Sequence, residues 1–329
     1  MWIALIILAV AVLAVLAYLA LVDGRFRVER KLEIDAPAQF AFEAVADLKS
    51  WPEWSPWLLH ESEAEIAYSD DCRQRGGYYT WNGKRLGAGK LTHLELQPYS
   101  RIAQQIEFLR PFRATNRVDW GFEDLGDKTL VSWGMSGHMP FLMRFMTAKM
   151  EPMIGRDFEL GLARLNGYVN ADAEHPAIEF GGDEVLEDFS YWAIPCSGNL
   201  RQLEAARPTA LEALLRAADG KTGLGLTLYH RFDPLEGEYR AEIAIPVGAT
   251  TPASNYTRRE FHGGRYLTMT LRGDHRFLPL GWYALYSHCR MYRRKIDRSR
   301  PALEIYHQPP QPGADSNRIT TALYAPLNG

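Results

Sequence analysis

Cysteine is scarce in this chain of 329 residues: Cys72, Cys196 and Cys289 cannot all pair and form no CxxC. A disulfide framework is therefore excluded, and isolated reduced thiols in a reducing compartment are expected. The nine histidines fall at no ligand spacing with cysteine or carboxylate, so neither a metal site nor a cofactor is expected. Charge of one sign is lacking as well. A net charge of −3 supplies no field that would draw in nucleic acid. No glycine-rich phosphate loop and no nucleophile motif occurs, which argues against an NTPase. What remains is a composition of 47% hydrophobic and 23% charged residues, that of a folded protein long enough for two separate cores.

The one long apolar run is Met1 to Val22, which has no charged side chain. About 20 such residues cross a bilayer as a helix. The basic start and short apolar core of a cleaved signal peptide are missing, so residues 1–22 are read as a retained, single-pass transmembrane anchor. Arg25, Arg27, Arg30 and Lys31 follow the run and place the body of the protein on the cytoplasmic side of the cell membrane. The same residues also fit the first strand of the next domain.

Residues 25–170 read as strand, short helices, meander and long helix. Phe26 to Ile34 alternates apolar and polar residues, the period of a half-buried strand. Asp35 is placed to cap a helix entered through Pro37. Trp51-Pro52-Glu53-Trp54-Ser55-Pro56-Trp57 reads as a turn. Antiparallel strands follow from Tyr68 to Gly137, with turns at Gly76-Gly77, Asn82-Gly83 and Gly126-Asp127. A last helix runs from about Ile154 to Val169, with Pro152 at its start or at a kink before it.

This order, and the stretches Ile34 to Pro37, Trp51 to Trp57 and Val131 to Gly137, resemble the helix-grip superfamily of START lipid-transfer domains and polyketide cyclases. The resemblance implies a curved sheet gripping the long helix around an apolar cavity, with a lipid or polycyclic ligand. Tyr79, Trp81, Phe108, Trp120 and Trp133 are the candidate lining, and a filled core is the alternative. His93 and His138 are candidate acid–base groups, but spacing sets no carboxylate or nucleophile beside them.

A polar, turn-rich joint over 171–183 leads to residues 184–329, where one pattern occurs twice. Asp188 to Ile194, a helical stretch, Leu226 to His230 and Glu242 to Val247 are repeated as Gly264 to Leu271, a helical stretch, Leu303 to His307 and Ala322 to Leu327. Two strand–helix–strand–strand units should pair about a pseudo-two-fold axis and leave a cleft. In the helix of the first copy, Leu200 and Leu203 precede Pro208, and Gly220 is placed to end it. In the second, Leu278, Trp282, Leu285, Cys289 and Tyr292 form one face.

Glu242 to Val247, Gly263 to Tyr266, Leu271 to Gly273, Trp282, Leu303 to Tyr306 and Pro326-Leu327 resemble the effector-binding domain of gyrase-inhibitor-like proteins and multidrug-responsive regulators. The resemblance implies a cationic or amphipathic ligand held between the repeats and facing Glu304. The residues agree: Glu304 and Tyr306 share a strand face, and aligning Tyr229 with Tyr306 sets Thr227 against Glu304. Trp282 and Tyr324 complete an aromatic setting for a cation. The six basic residues from Arg290 to Arg300 read as a solvated helix end, with anionic lipid contact as the alternative.

The expected fold is α+β: a transmembrane helix, a helix-grip domain and a duplicated effector-binding domain. The expected function is non-catalytic binding, at the membrane, of hydrophobic and of cationic or amphipathic small molecules. The rivals are a hydrolase using Glu304 with Tyr306, and a membrane scaffold with filled cores.

Overall fold

The uncharged N-terminal run folds as a single helix, α1 (Trp2–Leu21), with a mean hydropathy of 3.0. All of its residues are exposed except Leu19, so its apolar surface faces outward along almost its whole length. The computed structural model describes every residue except 1, 220–223, 233–237, 249–250, 252–254, 308–314 and 329. By its internal contacts the chain divides into two units, Met1–Ala171 and Asp172–Gly329.

In the first unit the alternating segment forms β1 (Arg25–Ile34), with Val28 and Ile34 inside. Helix α2 (Ala38–Ala46) begins after Pro37 without a side-chain cap. Asp35 does not cap it. Its backbone N–H donates to Asn166 Oδ1 at 2.7 Å and its carboxylate pairs with Lys128 at 3.0 Å. The tryptophan–proline stretch contains a one-turn helix, α3 (Trp51–Trp54), because a proline at the first turn forfeits no intrahelical bond.

The strands β2 (Glu65–Tyr68), β3 (Tyr78–Asn82), β4 (Ala88–Gln97), β5 (Arg101–Arg110), β6 (Ala114–Asp124) and β7 (Thr129–His138) follow. With β1 they make an antiparallel sheet in the order β1-β7-β6-β5-β4-β3-β2. Helix α4 (Thr147–Val169) packs on the sheet. It starts at Thr147 rather than near Ile154, and Pro152, its sixth residue, lies inside it, where proline forfeits the N–H bond to the carbonyl four residues before it.

The second unit contains β8 (Ala177–Leu186), β9 (Phe189–Asn199), α5 (Leu200–Ala217), β10 (Gly225–Phe232) and β11 (Glu238–Pro246). It continues with β12 (Arg259–Phe261), β13 (Gly264–Arg272), α6 (Leu278–Met291), β14 (Ala302–Tyr306) and β15 (Thr320–Pro326). One antiparallel sheet orders them β12-β9-β11-β10-β14-β15-β13-β8. Read from its centre the order is symmetric, as the repeat requires. Each copy also has a leading strand that pairs with the other copy, β8 with β13 and β12 with β9. Residues 177–183, expected in a linker, are therefore strand. Helix α5 starts with a reciprocal cap between Asn199 and Gln202 and continues through Pro208. Gly220 lies outside the described residues.

The axis of the repeat is visible in the register. In the central β10–β14 pair, Thr227 faces Glu304, Gly225 faces Tyr306 and Tyr229 faces Ala302. The two positions matched by sequence thus meet each other across the axis.

In the first unit, one close approach sets the helix against the sheet. A Cβ at Gly161 of α4 would stand 2.6 Å from the Trp133 ring and 3.0 Å from Pro56. Trp133 is fully buried and has no room to move. Gly161→Val is therefore expected to destabilise the unit by about 2–3 kcal/mol through overpacking. Urea unfolding followed by the near-ultraviolet signal of the tryptophans measures it; an unchanged midpoint would refute the close contact.

Candidate functional site

The first unit has an apolar cavity of about 330 Å³ between the sheet and α4. Tyr79 and Trp81 of β3, Ile106 and Phe108 of β5 and Met135 of β7 line one side, with Met150 and Ile154 of α4 on the other. Its exposed lining residues Pro111, Phe112, His138 and Pro140 show where it reaches the surface. Of the five aromatics expected here, Tyr79, Trp81 and Phe108 line the cavity. Trp120 and Trp133 do not. Trp133 stacks between Trp120 (4.3 Å, 20°) and Phe158 of α4 (4.2 Å, 13°), filling the core beyond the cavity.

Sequence reasoning missed the methionines. Six of the nine, Met135, Met139, Met143, Met146, Met150 and Met153, fall within nineteen residues at three- and four-residue steps, and four of these line the cavity. Unbranched thioethers conform to differently shaped ligands, so this cluster was the available signal. Two polar atoms interrupt the apolar wall. Ser55 Oγ and Asn116 Oδ1 are buried and have no hydrogen-bond partner among the described residues, a shortfall that a ligand's polar group can make good.

The two histidines fall apart. His138 is exposed at the cavity mouth. His93 is buried in a chain of hydrogen bonds: Trp120 Nε1 donates to Gln104 Oε1 (3.0 Å), Gln104 Nε2 donates to His93 Nδ1 (3.3 Å), and His93 Nε2 donates to the Ala46 carbonyl (3.0 Å). Burial holds its pKa below the usual histidine value, so the ring stays neutral and serves as a strut.

In the second unit, Glu304 is fully buried. Its Oε1 accepts from Tyr229 Oη (2.9 Å) and Trp282 Nε1 (2.6 Å), and its Oε2 accepts from Tyr306 Oη (2.6 Å). Thr227 donates in turn to Tyr306 Oη at 2.6 Å. Three donors of this kind suit an ionised carboxylate. Burial and the nearby Glu304 push both phenols well above the ordinary tyrosine range, so they remain donors. Of the expected set, Tyr229, Trp282 and Tyr306 surround Glu304. Tyr324 does not: in β15 it faces Leu303 of β14 and therefore points to the sheet face opposite Glu304.

The missed residue here is Arg207 of α5. It is almost fully buried; its Nη2 lies 3.6 Å from Glu304 Oε2 and its guanidinium sits 5.0 Å from the Tyr306 ring centre. The site thus already contains a cation over an aromatic face. Arg207 Nη1 also donates to His275 Nδ1 at 3.3 Å, and burial together with this arginine lowers the His275 pKa to about 4. The expected open cleft at Glu304 is absent among the described residues. A cavity of about 700 Å³ in this unit is lined by Tyr229, Phe232, Tyr283, Tyr286 and several arginines, without Glu304.

Both units are thus antiparallel sheets packed with helices, one around an apolar cavity and the other around a buried aromatic cluster. Residues 25–170 match the family described as polyketide cyclase/dehydrase and lipid transport, and residues 199–328 match the GyrI-like small molecule binding domain. The chain carries one domain of each. Similar solved structures include the Zhui aromatase/cyclase from Streptomyces sp. R1128 (16% identity, 44% of this chain and 93% of that one, TM-score 0.35). Two others are CalU16 from Micromonospora echinospora (16%, 44% and 85%, 0.31) and SAV2435 bound to tetraphenylphosphonium (16%, 46% and 94%, 0.36). No curated protein matches the chain.

A buried pair is broken at a cost when one member is removed. Glu304→Gln and Arg207→Met are each expected to destabilise the second unit by about 3–5 kcal/mol, because the remaining charge is stranded. The double variant should recover a large part of the sum. Chemical denaturation of all four proteins completes the cycle, and additive losses would mean that the two charges do not interact.

Proposed function

We propose that this chain is a membrane-anchored, non-catalytic binding protein for hydrophobic small molecules, held by α1 with both domains on the cytoplasmic side. The observation that carries this reading is the apolar cavity of the first domain, whose wall is interrupted by two unpartnered polar atoms. Such a cavity suits a molecule with an apolar body and one polar group. The uncharged, outward-facing α1 supports the anchor.

Ala114 lines the cavity, so Ala114→Phe narrows it without adding charge. A fluorescent fatty acid is expected to bind residues 25–329, a fragment that needs no competing detergent, and to lose at least about tenfold in affinity in the variant. Equal binding by both proteins would sink the reading.

For the second domain we propose an amphipathic or cationic ligand at the Glu304 cluster that must displace Arg207. Tetraphenylphosphonium, which a similar structure holds, is the suitable probe. Arg207→Ala should bind it at least tenfold more tightly than the natural chain, and Arg207→Ala combined with Glu304→Gln should lose the gain. If calorimetry finds no gain in Arg207→Ala, the cluster is not a cation site. A hydrolytic use of Glu304 with Tyr306 is less well supported, because both carboxylate oxygens are engaged by Tyr229, Trp282, Tyr306 and Arg207.

A further inference from the structure

The mouth of the apolar cavity lies at the end of the sheet from which α1 departs. β1 begins at Arg25, and Arg25 pairs with His138 at the end of β7. The β5–β6 turn is at the same end, since Phe108 pairs with Ala114 and Arg117 with Ser136. After β7 the chain forms a 3-10 helix, Phe141–Met146, that is fastened to the end of α1. Arg144 Nη1 donates to the carbonyls of Leu19 (3.3 Å) and Val22 (3.4 Å), and the Met139 N–H donates to the Gly24 carbonyl (2.8 Å). The joint between α1 and β1, residues 22–24, reaches at most about 10 Å.

The rim of this mouth is apolar and uncovered. Leu109 near the end of β5 and Phe112 of the β5–β6 turn are 50% and 54% exposed, and Phe141, Leu142 and Phe145 of the 3-10 helix are 41%, 68% and 55% exposed. Phe112 lines the mouth, and Phe141, Leu142 and Phe145 stand on the helix that follows its lining residues Met139 and Pro140; with Leu109 at the same end of the sheet, they exceed the scatter of single exposed residues on an ordinary surface. Exposed basic residues stand on the same elements and their neighbours: Lys84, Arg85, Arg110, Arg113 and Lys149. At the far end of the sheet, the last residues of β6 and the β6–β7 turn carry Glu123, Asp124 and Asp127 beside Lys128.

We propose that this rim is a membrane-docking face. Resting on the reading of α1 as an anchor, the five side chains enter the interface of an anionic phospholipid bilayer, the basic residues meet its headgroups, and the cavity exchanges its ligand directly with the bilayer. The occupant follows from position. A span whose last turn is tied to the 3-10 helix keeps the rim within a short reach of the interface, where apolar and basic side chains together are favoured.

The test uses the full chain in nanodiscs of phosphatidylcholine and phosphatidylglycerol, with amide hydrogen exchange as the readout. Peptides covering 107–114 and 139–147 are expected to exchange at least fivefold more slowly than in Phe112→Ser/Leu142→Ser/Phe145→Ser, while peptides covering 123–128 exchange alike in both. All three substitutions are at exposed positions, and the unchanged far-end peptides report that the variant is folded. Carbonate extraction from vesicles of the same composition reports on the anchor separately. If the natural chain stays with the lipid yet its rim exchanges as in the variant, the docking face is overturned and the anchor stands. If carbonate releases the chain, the anchor fails and the docking face with it.

Discussion

The first domain depends on the stack of Trp120, Trp133 and Phe158. Trp133 is held between two rings at 4.3 and 4.2 Å, so α4 can move neither toward the sheet nor away from it without losing buried aromatic contact. Gly161 lets the helix backbone come down on Trp133 at this level. A helix on a twisted sheet cannot keep the same distance along its whole length, and α4 carries Pro152 in the part that lines the cavity. Toward the N-terminal half of α4, the partners are Met150 and Ile154 rather than a stacked ring. The gap left there is the cavity. The packed core and the empty space therefore have a single cause, and the cavity is as well defined as the stack that props it open.

In the second domain the controlling constraint is symmetry. A two-fold repeat brings equivalent residues of its central strands face to face, and in this chain the pair is Thr227 and Glu304. Two glutamates at this position would set like charges directly opposite each other in a dry interior. The asymmetry of the pair is thus a condition for burying a carboxylate on the axis. Around it the donors come from both copies, with Tyr229 and Arg207 from the first and Trp282 and Tyr306 from the second. A carboxylate shared in this way holds the two repeats together as well as offering a charge.

Much of this was legible because repeats and periods survive in sequence. The order of the strands, the two-fold match of Tyr229 with Tyr306 and the shared face of Glu304 and Tyr306 follow from alternation and repeat, whereas Trp282 joins Glu304 through the family resemblance. The failures are equally specific. Period-two alternation tells which face of a strand a residue takes, but not its height on that face; Trp120 and Trp133 were therefore grouped with Tyr79 although they lie beyond the cavity. Tyr324 was misplaced because its face depends on the β14–β15 register, which no local pattern encodes. Residues 177–183 read as linker because an edge strand needs little apolar sequence, and Gly181-Gly182-Asp183 looks like a turn. Arg207, between Ala206 and Pro208, resembles a solvated helix residue. Its burial rests on long-range contacts with Glu304, Tyr306 and His275.

For a cation bound at Glu304, as proposed, the pairing with Arg207 sets what could be selected. A carboxylate without a countercharge would attract cations of many shapes, since charge alone would repay their desolvation. With Arg207 in place, an incoming cation exchanges one ion pair for another and gains little from charge. The neighbouring cavity works in the same direction. Arg231, Arg240, Arg290, Arg294, Arg298 and Arg300 line it against Glu238 and Asp297, so a small, strongly hydrated cation meets a repulsive approach. The surplus needed for binding must then come from apolar and aromatic surface, through contact with Tyr229, Phe232 and Tyr286 beside the cluster. On the cation-site proposal, the resident arginine would therefore favour ligands by the bulk and shape of their apolar body rather than by charge.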